Sequence, residues 1–309
     1  MPVALPLAAL ALVIVVAGCS AAPSGPGASG TPAATPAPSQ GKASVVPVIV
    51  TTQQVVGPNR FMFSFLDAAK NVPAAAPDRT ASVAFVPPGS STATDPEPGT
   101  FVWAIEDERG VYILKADFAS AGEWTAVFIT QAPGGPEERI AMRFDVAQDG
   151  AAVAVGEAAK PTTNPVAADV DGKLDRISTD TNAAPGFYTT TVAEAIAANL
   201  PFVLVFTTPA FCQTAQCGPT MDRVKTVADA YPDLTFIHVE PYKLQYTEGR
   251  LQPVLGTSGG LQPVQAVLDW GILTEPWIYV VGADGLVSAS LEGIFAEQEL
   301  RDALDAVAA

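Results

Sequence analysis

The chain has 309 residues, 49% of them hydrophobic and 16% charged, with 32 acidic residues against 16 basic ones and a formal net charge of −16. That length suits two domains with connecting segments, and the apolar content is ample for buried cores. Without clustered Lys and Arg to neutralise phosphates, the composition excludes nucleic-acid binding, and its negative charge argues against electrostatic adhesion to anionic membranes.

Residues 3–16 form an uncharged apolar run of signal-peptide length, short for a membrane span. It is followed by Val16-Ala17-Gly18-Cys19. These residues resemble the lipobox of bacterial lipoproteins, which implies removal of residues 1–18 and a lipid anchor on Cys19. The start of the chain carries no Lys or Arg, which leaves room for an upstream start. Residues 19–43 are dominated by Ser, Ala, Pro and Gly and read as a disordered tether. The expected place of work is therefore extracytoplasmic, at the cell membrane, where disulfides persist.

Between residues 44 and 155 the pattern is of short strands: Val45–Val56, Arg60–Asp67, Thr80–Val86, Thr100–Glu106, Val111–Phe118, Glu123–Thr130 and Arg139–Val146. Alternation puts Phe61, Phe63 and Phe65 on one face. Seven strands at this spacing predict an immunoglobulin-like β-sandwich, without the usual cysteine pair. Trp103 and Trp124 read as core. Residues 156–188 are a linker rich in Pro, Gly, Asp and Thr that has room for one irregular strand.

From residue 189 to 309 helix and strand alternate. Val192–Asn199 is helical in pattern and Phe202–Phe206 is an uninterrupted apolar strand. A helix over Pro219–Tyr231, a strand over Leu234–Val239 and a helix over Leu261–Trp270 follow. Trp277–Val281 is a strand, Asp284-Gly285 a turn, Leu286–Leu291 its partner and Glu297–Val307 a last helix.

The chemistry of the chain rests on Cys212 and Cys217, separated by four residues and followed by Gly218-Pro219. With Cys19 lipidated they are the only two thiols left. Positions five apart point away from each other on a regular helix, so Cys212 belongs to the loop before the helix, a corner that can bring two α-carbons within disulfide reach. A helix N-terminus also stabilises a thiolate through unpaired N–H groups. Closing six residues stabilises a fold by only about 2.2 kcal/mol, so a purely structural bond gains little here. Redox activity, a structural disulfide and metal binding all remain open, as does which cysteine attacks.

Strand, cysteine loop, helix and a proline just before a later strand (Thr274-Glu275-Pro276) resemble the extracytoplasmic thioredoxin-like family. The resemblance covers roughly Thr190 to Ala309. It implies an α/β thioredoxin-like domain after the sandwich, and thiol–disulfide exchange through Cys212 and Cys217 on exported proteins. Pro276 and Glu275 would shape the substrate groove, no cofactor is needed, and a membrane electron donor would supply a reductase. The chain departs from that family in three ways: the cysteine spacing is four rather than two, Phe202–Phe206 holds no ionisable group, and an acid precedes Pro276. A surface-binding lipoprotein with a structural disulfide is the alternative, and copper handling the third. Nothing in the sequence completes a zinc site, since the single histidine, His238, sits inside a strand and reads as a satisfied, semi-buried residue.

Overall fold

The structure, a computed structural model, describes residues 42–308. The signal segment and Cys19 lie outside the described residues. By their contacts the described residues belong to one unit.

Nine strands make up the first part: β1 (Val45–Ile49), β2 (Gln54–Val55), β3 (Gly57–Asp67), β4 (Thr80–Val86), β5 (Glu97–Pro98), β6 (Thr100–Ile105), β7 (Arg109–Phe118), β8 (Gly122–Gln131) and β9 (Glu137–Ala147). They form two sheets, ordered β1-β3-β7-β6 and β2-β9-β8-β4-β5. The period-2 alternation of Phe61, Phe63 and Phe65 puts all three between the sheets, where they meet Phe85 and Phe128 of the opposite sheet. Ring centroids 5.1–5.2 Å apart with edge or tilted geometry add to the burial energy. Trp124 is core, while Trp103 is only partly buried. The segment read as one strand over Val45–Val56 is two. At Thr51 the chain leaves the first sheet, and the Thr51 hydroxyl stands in for a ladder partner by accepting from the Met62 N–H at 2.7 Å. β2 then pairs with β9 in the second sheet.

The second part carries α1 (Val192–Ala197), β10 (Phe202–Phe206), α2 (Cys217–Ala228), β11 (Thr235–Val239), β12 (Leu244–Thr247), β13 (Arg250–Pro253), α3 (Gln265–Asp269), β14 (Trp277–Val281), β15 (Val287–Glu292) and α4 (Glu297–Asp305). Its main sheet is ordered β11-β10-β14-β15. Phe202, Leu204 and Phe206 of β10 pack on one side with Val192, Val267 and Trp270. Val203 and Val205 pack on the other with Met221, Val224 and Leu300. Each of these five β10 side chains is at most 1% exposed, and burying each contributes about 1.5–3 kcal/mol.

The expected fold class, an immunoglobulin-like sandwich followed by an α/β thioredoxin-like domain, is corrected. The chain is mostly β, with 37% strand against 16% helix. In the second part only β10 and β11 run parallel, while β14 and β15 both join antiparallel. Antiparallel neighbours can be linked by tight turns and need no crossover helix. The helix expected over Leu261–Trp270 shrinks to the five residues of α3, because Pro263 and the Tyr242–Pro263 bridge hold its first turn extended. Residues 244–253, read without an element, form the β12–β13 hairpin around Glu248 and Gly249, both at positive φ. Residues 155–159 hydrogen-bond along the outer edge of β15, with Gly156 N–H to Val287 O at 2.8 Å and Ala159 N–H to Gly285 O at 2.9 Å. Nearby, Gly271 (φ +64°) leaves room for the Ala151 carbonyl, which a Cβ would meet at 1.7 Å.

The two parts are joined by a polar clamp. Arg60 of β3 pairs with Glu299 of α4 at 2.6 Å and donates to the Glu292 carbonyl at 2.7 Å. Met62 packs in one cluster with Ile294, and Arg223 of α2 donates to the Trp103 carbonyl at 2.7 Å. Glu292 accepts the Thr52 N–H at 2.9 Å, and burial pushes its carboxyl above the usual range.

Two measurements check this clamp. Arg60→Ala should lower stability by about 2–4 kcal/mol in denaturant unfolding, because it leaves Glu299 and two carbonyls without their partner. A raised folded-state value means that the carboxyl's contribution is present in acid and lost as pH rises through that value. Glu292→Gln should therefore be at least as stable as the wild type at pH 7 and gain less on acidification. A larger acid gain in the variant would contradict this reading.

Candidate functional site

The strand β10 ends at Phe206, and the loop 207–216 carries the chain to α2. Cys217 is the first residue of α2, with Gly218 and Pro219 completing the turn where backbone N–H groups lack helical partners and proline is tolerated. Helix was expected only from Pro219. It starts two residues earlier, so Cys217 sits inside its first turn.

Within the loop Ala215 takes a left-handed φ of 62°, and this bend returns Cys212 toward the helix start. The Cys217 N–H donates to Cys212 Sγ at 3.2 Å, and Thr214 Oγ1 lies 3.3 Å from the same sulfur. Cys212 is half-buried and Cys217 fully buried, both as free thiols. These contacts divide the pair electrostatically. Hydrogen bonding from the Cys217 thiol, with smaller help from the Thr214 contact and the two backbone amides, pulls Cys212 down to about 5 against the cost of burial. The same contact and burial push Cys217 far up.

Glu275 and Pro276, from the turn before β14, face this loop across a cis peptide bond. Glu275 is 5% exposed. Its Oε1 accepts the Gln213 N–H at 3.1 Å and its Oε2 accepts the Tyr242 hydroxyl at 2.7 Å. Thr214 Oγ1 donates to the Glu275 carbonyl at 3.2 Å, and Gln213 Nε2 donates to Tyr242 Oη at 3.0 Å. Burial and Glu275 raise the Tyr242 phenol, which keeps it a donor. Cys212 Sγ, Cys217 Sγ and a Glu275 oxygen all lie within 4.8 Å of one another. The structure thus brings together Cys212, Cys217, Glu275 and Pro276. Tyr242, Gln213 and Thr214 were not visible in the sequence. Tyr242 stands 33 residues from Glu275 in a stretch with no motif, and only the fold brings the two together.

His238 is buried and satisfied away from the thiols. Its Nε2 faces the Thr207 carbonyl at 2.9 Å and therefore carries the proton, while Nδ1 lies 2.7 Å from Tyr188 Oη. A cavity of about 540 Å³ opens beside Phe211, the residue before Cys212, and is lined by Thr179, Asp180, Arg250 and Gln252 among others.

No protein-family model matches the chain, and no curated protein matches it. Among solved structures, one from Bacteroides vulgatus ATCC 8482 described as a candidate glycoside hydrolase aligns at 12% identity with a TM-score of 0.22. The alignment covers 69% of this chain and 35% of that one. No helix among the described residues is long and apolar enough to cross a membrane.

The division between the thiols is measurable. The iodoacetamide rate at Cys212 should be level above about pH 6 and fall with a midpoint at about 5, while Cys217 stays unmodified in the folded protein. Cys217→Ala removes the largest stabiliser of the Cys212 thiolate, so the midpoint should move up. An unmoved midpoint would assign the effect elsewhere.

Proposed function

We propose that the chain is a thiol–disulfide oxidoreductase acting on exported proteins, held outside the cytoplasmic membrane by lipid on Cys19. The observation that carries this reading is the asymmetry of the pair: a half-buried Cys212 sulfur receives the Cys217 N–H, with the Thr214 hydroxyl 3.3 Å away and a fully buried thiol directly behind it. A structural bond needs no such donors, whereas an attacking thiolate does.

The Cys212 thiolate attacks one sulfur of a partner disulfide. A mixed disulfide forms and the partner's other sulfur leaves as a thiolate. Cys212 then bears no charge, so the Cys217 thiol loses its acceptor. Glu275, the third member of the cluster, stands where it can take that proton. The Cys217 thiolate attacks Cys212 Sγ, the second partner thiolate leaves, and protons from Glu275 and solvent neutralise both leaving groups. Two electrons have passed to the partner, and a membrane dithiol donor restores the Cys212–Cys217 thiols. The groove beside Phe211, the residue before Cys212, gives the partner's chain a place to lie.

With a disulfide-containing peptide as substrate, Cys212→Ser should abolish exchange, and Cys217→Ser should accumulate a mixed disulfide visible by mass spectrometry. Equilibration with glutathione should give a potential between about −120 and −270 mV. A value below about −300 mV would instead mark a structural bond in a binding protein, and full exchange by Cys212→Ser would show that Cys212 is not the attacker.

A further inference from the structure

The Glu275 carboxyl is buried, and both its oxygens are met only by neutral donors, the Gln213 amide and the Tyr242 hydroxyl. Among the described residues no Lys, Arg or His forms an ion pair with it. Two sulfurs share the same small volume. Buried acceptor atoms gathered without a cation are a ready ligand set for a metal ion, which supplies the missing positive charge.

We infer that the reduced Cys212–Cys217 pair and Glu275 form a three-ligand site for a thiophilic divalent cation of the zinc class. Two thiolates select against magnesium and calcium, which prefer all-oxygen ligands, and the carboxylate favours a divalent borderline ion over copper(I). Zn–S bonds of about 2.3 Å and Zn–O bonds of about 2.0–2.2 Å in a tetrahedron place ligand atoms about 3.5–3.8 Å apart. A set whose members already lie within 4.8 Å of one another reaches that geometry by a small contraction. Tyr242 and Gln213 hold the carboxylate from outside, as partners of metal-bound carboxylates do. The fourth position falls on the side of the half-buried Cys212, open to water or a partner's ligand.

The sequence shows no third ligand for the two thiols, because Glu275 is 58 residues beyond Cys217 and arrives through the turn before β14. Metal binding and thiol exchange would use the same sulfurs, so each excludes the other. The inference does not rest on the exchange reading, since an inert pair would bind equally well once reduced.

The test is anaerobic titration of the reduced full-length chain with cobalt(II), followed by zinc competition against a chromogenic chelator. One cobalt per chain is expected, with a thiolate-to-metal charge-transfer band and the intense visible bands of a four-coordinate ion. Glu275→Gln should weaken zinc at least about tenfold, a ligand counting for no less than its outer partners. Tyr242→Phe should weaken it by a smaller factor. Unaltered far-UV circular dichroism in both variants would show that the fold is intact. Unchanged zinc affinity in Glu275→Gln, a six-coordinate cobalt spectrum, or no binding by the reduced wild type would each overturn the site. Exchange activity, present or absent, bears only on the other reading.

Discussion

The strand Phe202–Phe206 is buried on both faces, and most of the second half depends on that one constraint. Such a strand must be covered by helices on either side, which fixes where α2 has to start and therefore where the cysteine loop turns. It must also be free of ionisable groups, since a lone charge between two apolar layers would cost several kcal/mol. The acid beside the thiols consequently comes from outside the strand. It enters through the turn before β14, a neighbour in the same sheet, where Glu275 is buried among hydrogen-bond donors rather than among Val and Phe.

From that point the site is organised by competition for protons. The Cys217 thiol supplies the donor that keeps Cys212 ionised, and in doing so becomes hard to ionise itself. The two cysteines are chemically different before any partner arrives. The difference comes from depth and from the left-handed turn at Ala215, and among the described residues no Lys or Arg contributes to it. The protein's strong overall acidity therefore stands apart from the site, which works through hydrogen bonds and burial.

The sequence made parts of this legible and hid others for physical reasons. Phe61, Phe63 and Phe65 announce a strand because period-2 alternation survives in any sheet. Cys217-Gly218-Pro219 announces a helix start because proline fits only the first turn. The class of the second half was misjudged because an apolar run does not say whether its neighbour runs parallel or antiparallel. Trp277–Val281 joins Phe202–Phe206 antiparallel, whereas its antiparallel partner Val287–Glu292 was already announced by the Asp284-Gly285 turn. The β12–β13 hairpin escaped because Leu244–Pro253 is mostly polar and exposed, and its strands owe their pairing to a turn at Glu248-Gly249 rather than to burial. Tyr242 and Gln213 escaped because nothing local marks a residue whose role is to hold Glu275.

The run from residue 155 to 159 has a bearing on motion. A connection between two halves is commonly pictured as a hinge, yet here its backbone hydrogen-bonds along β15 and so belongs to the sheet it leads into. Swinging one half against the other would strip an edge from that sheet as well as break the Arg60 clamp. The two thiols thus sit on a fixed platform, and any local freedom at them must be found in the loop from Pro209 to Gln216 itself.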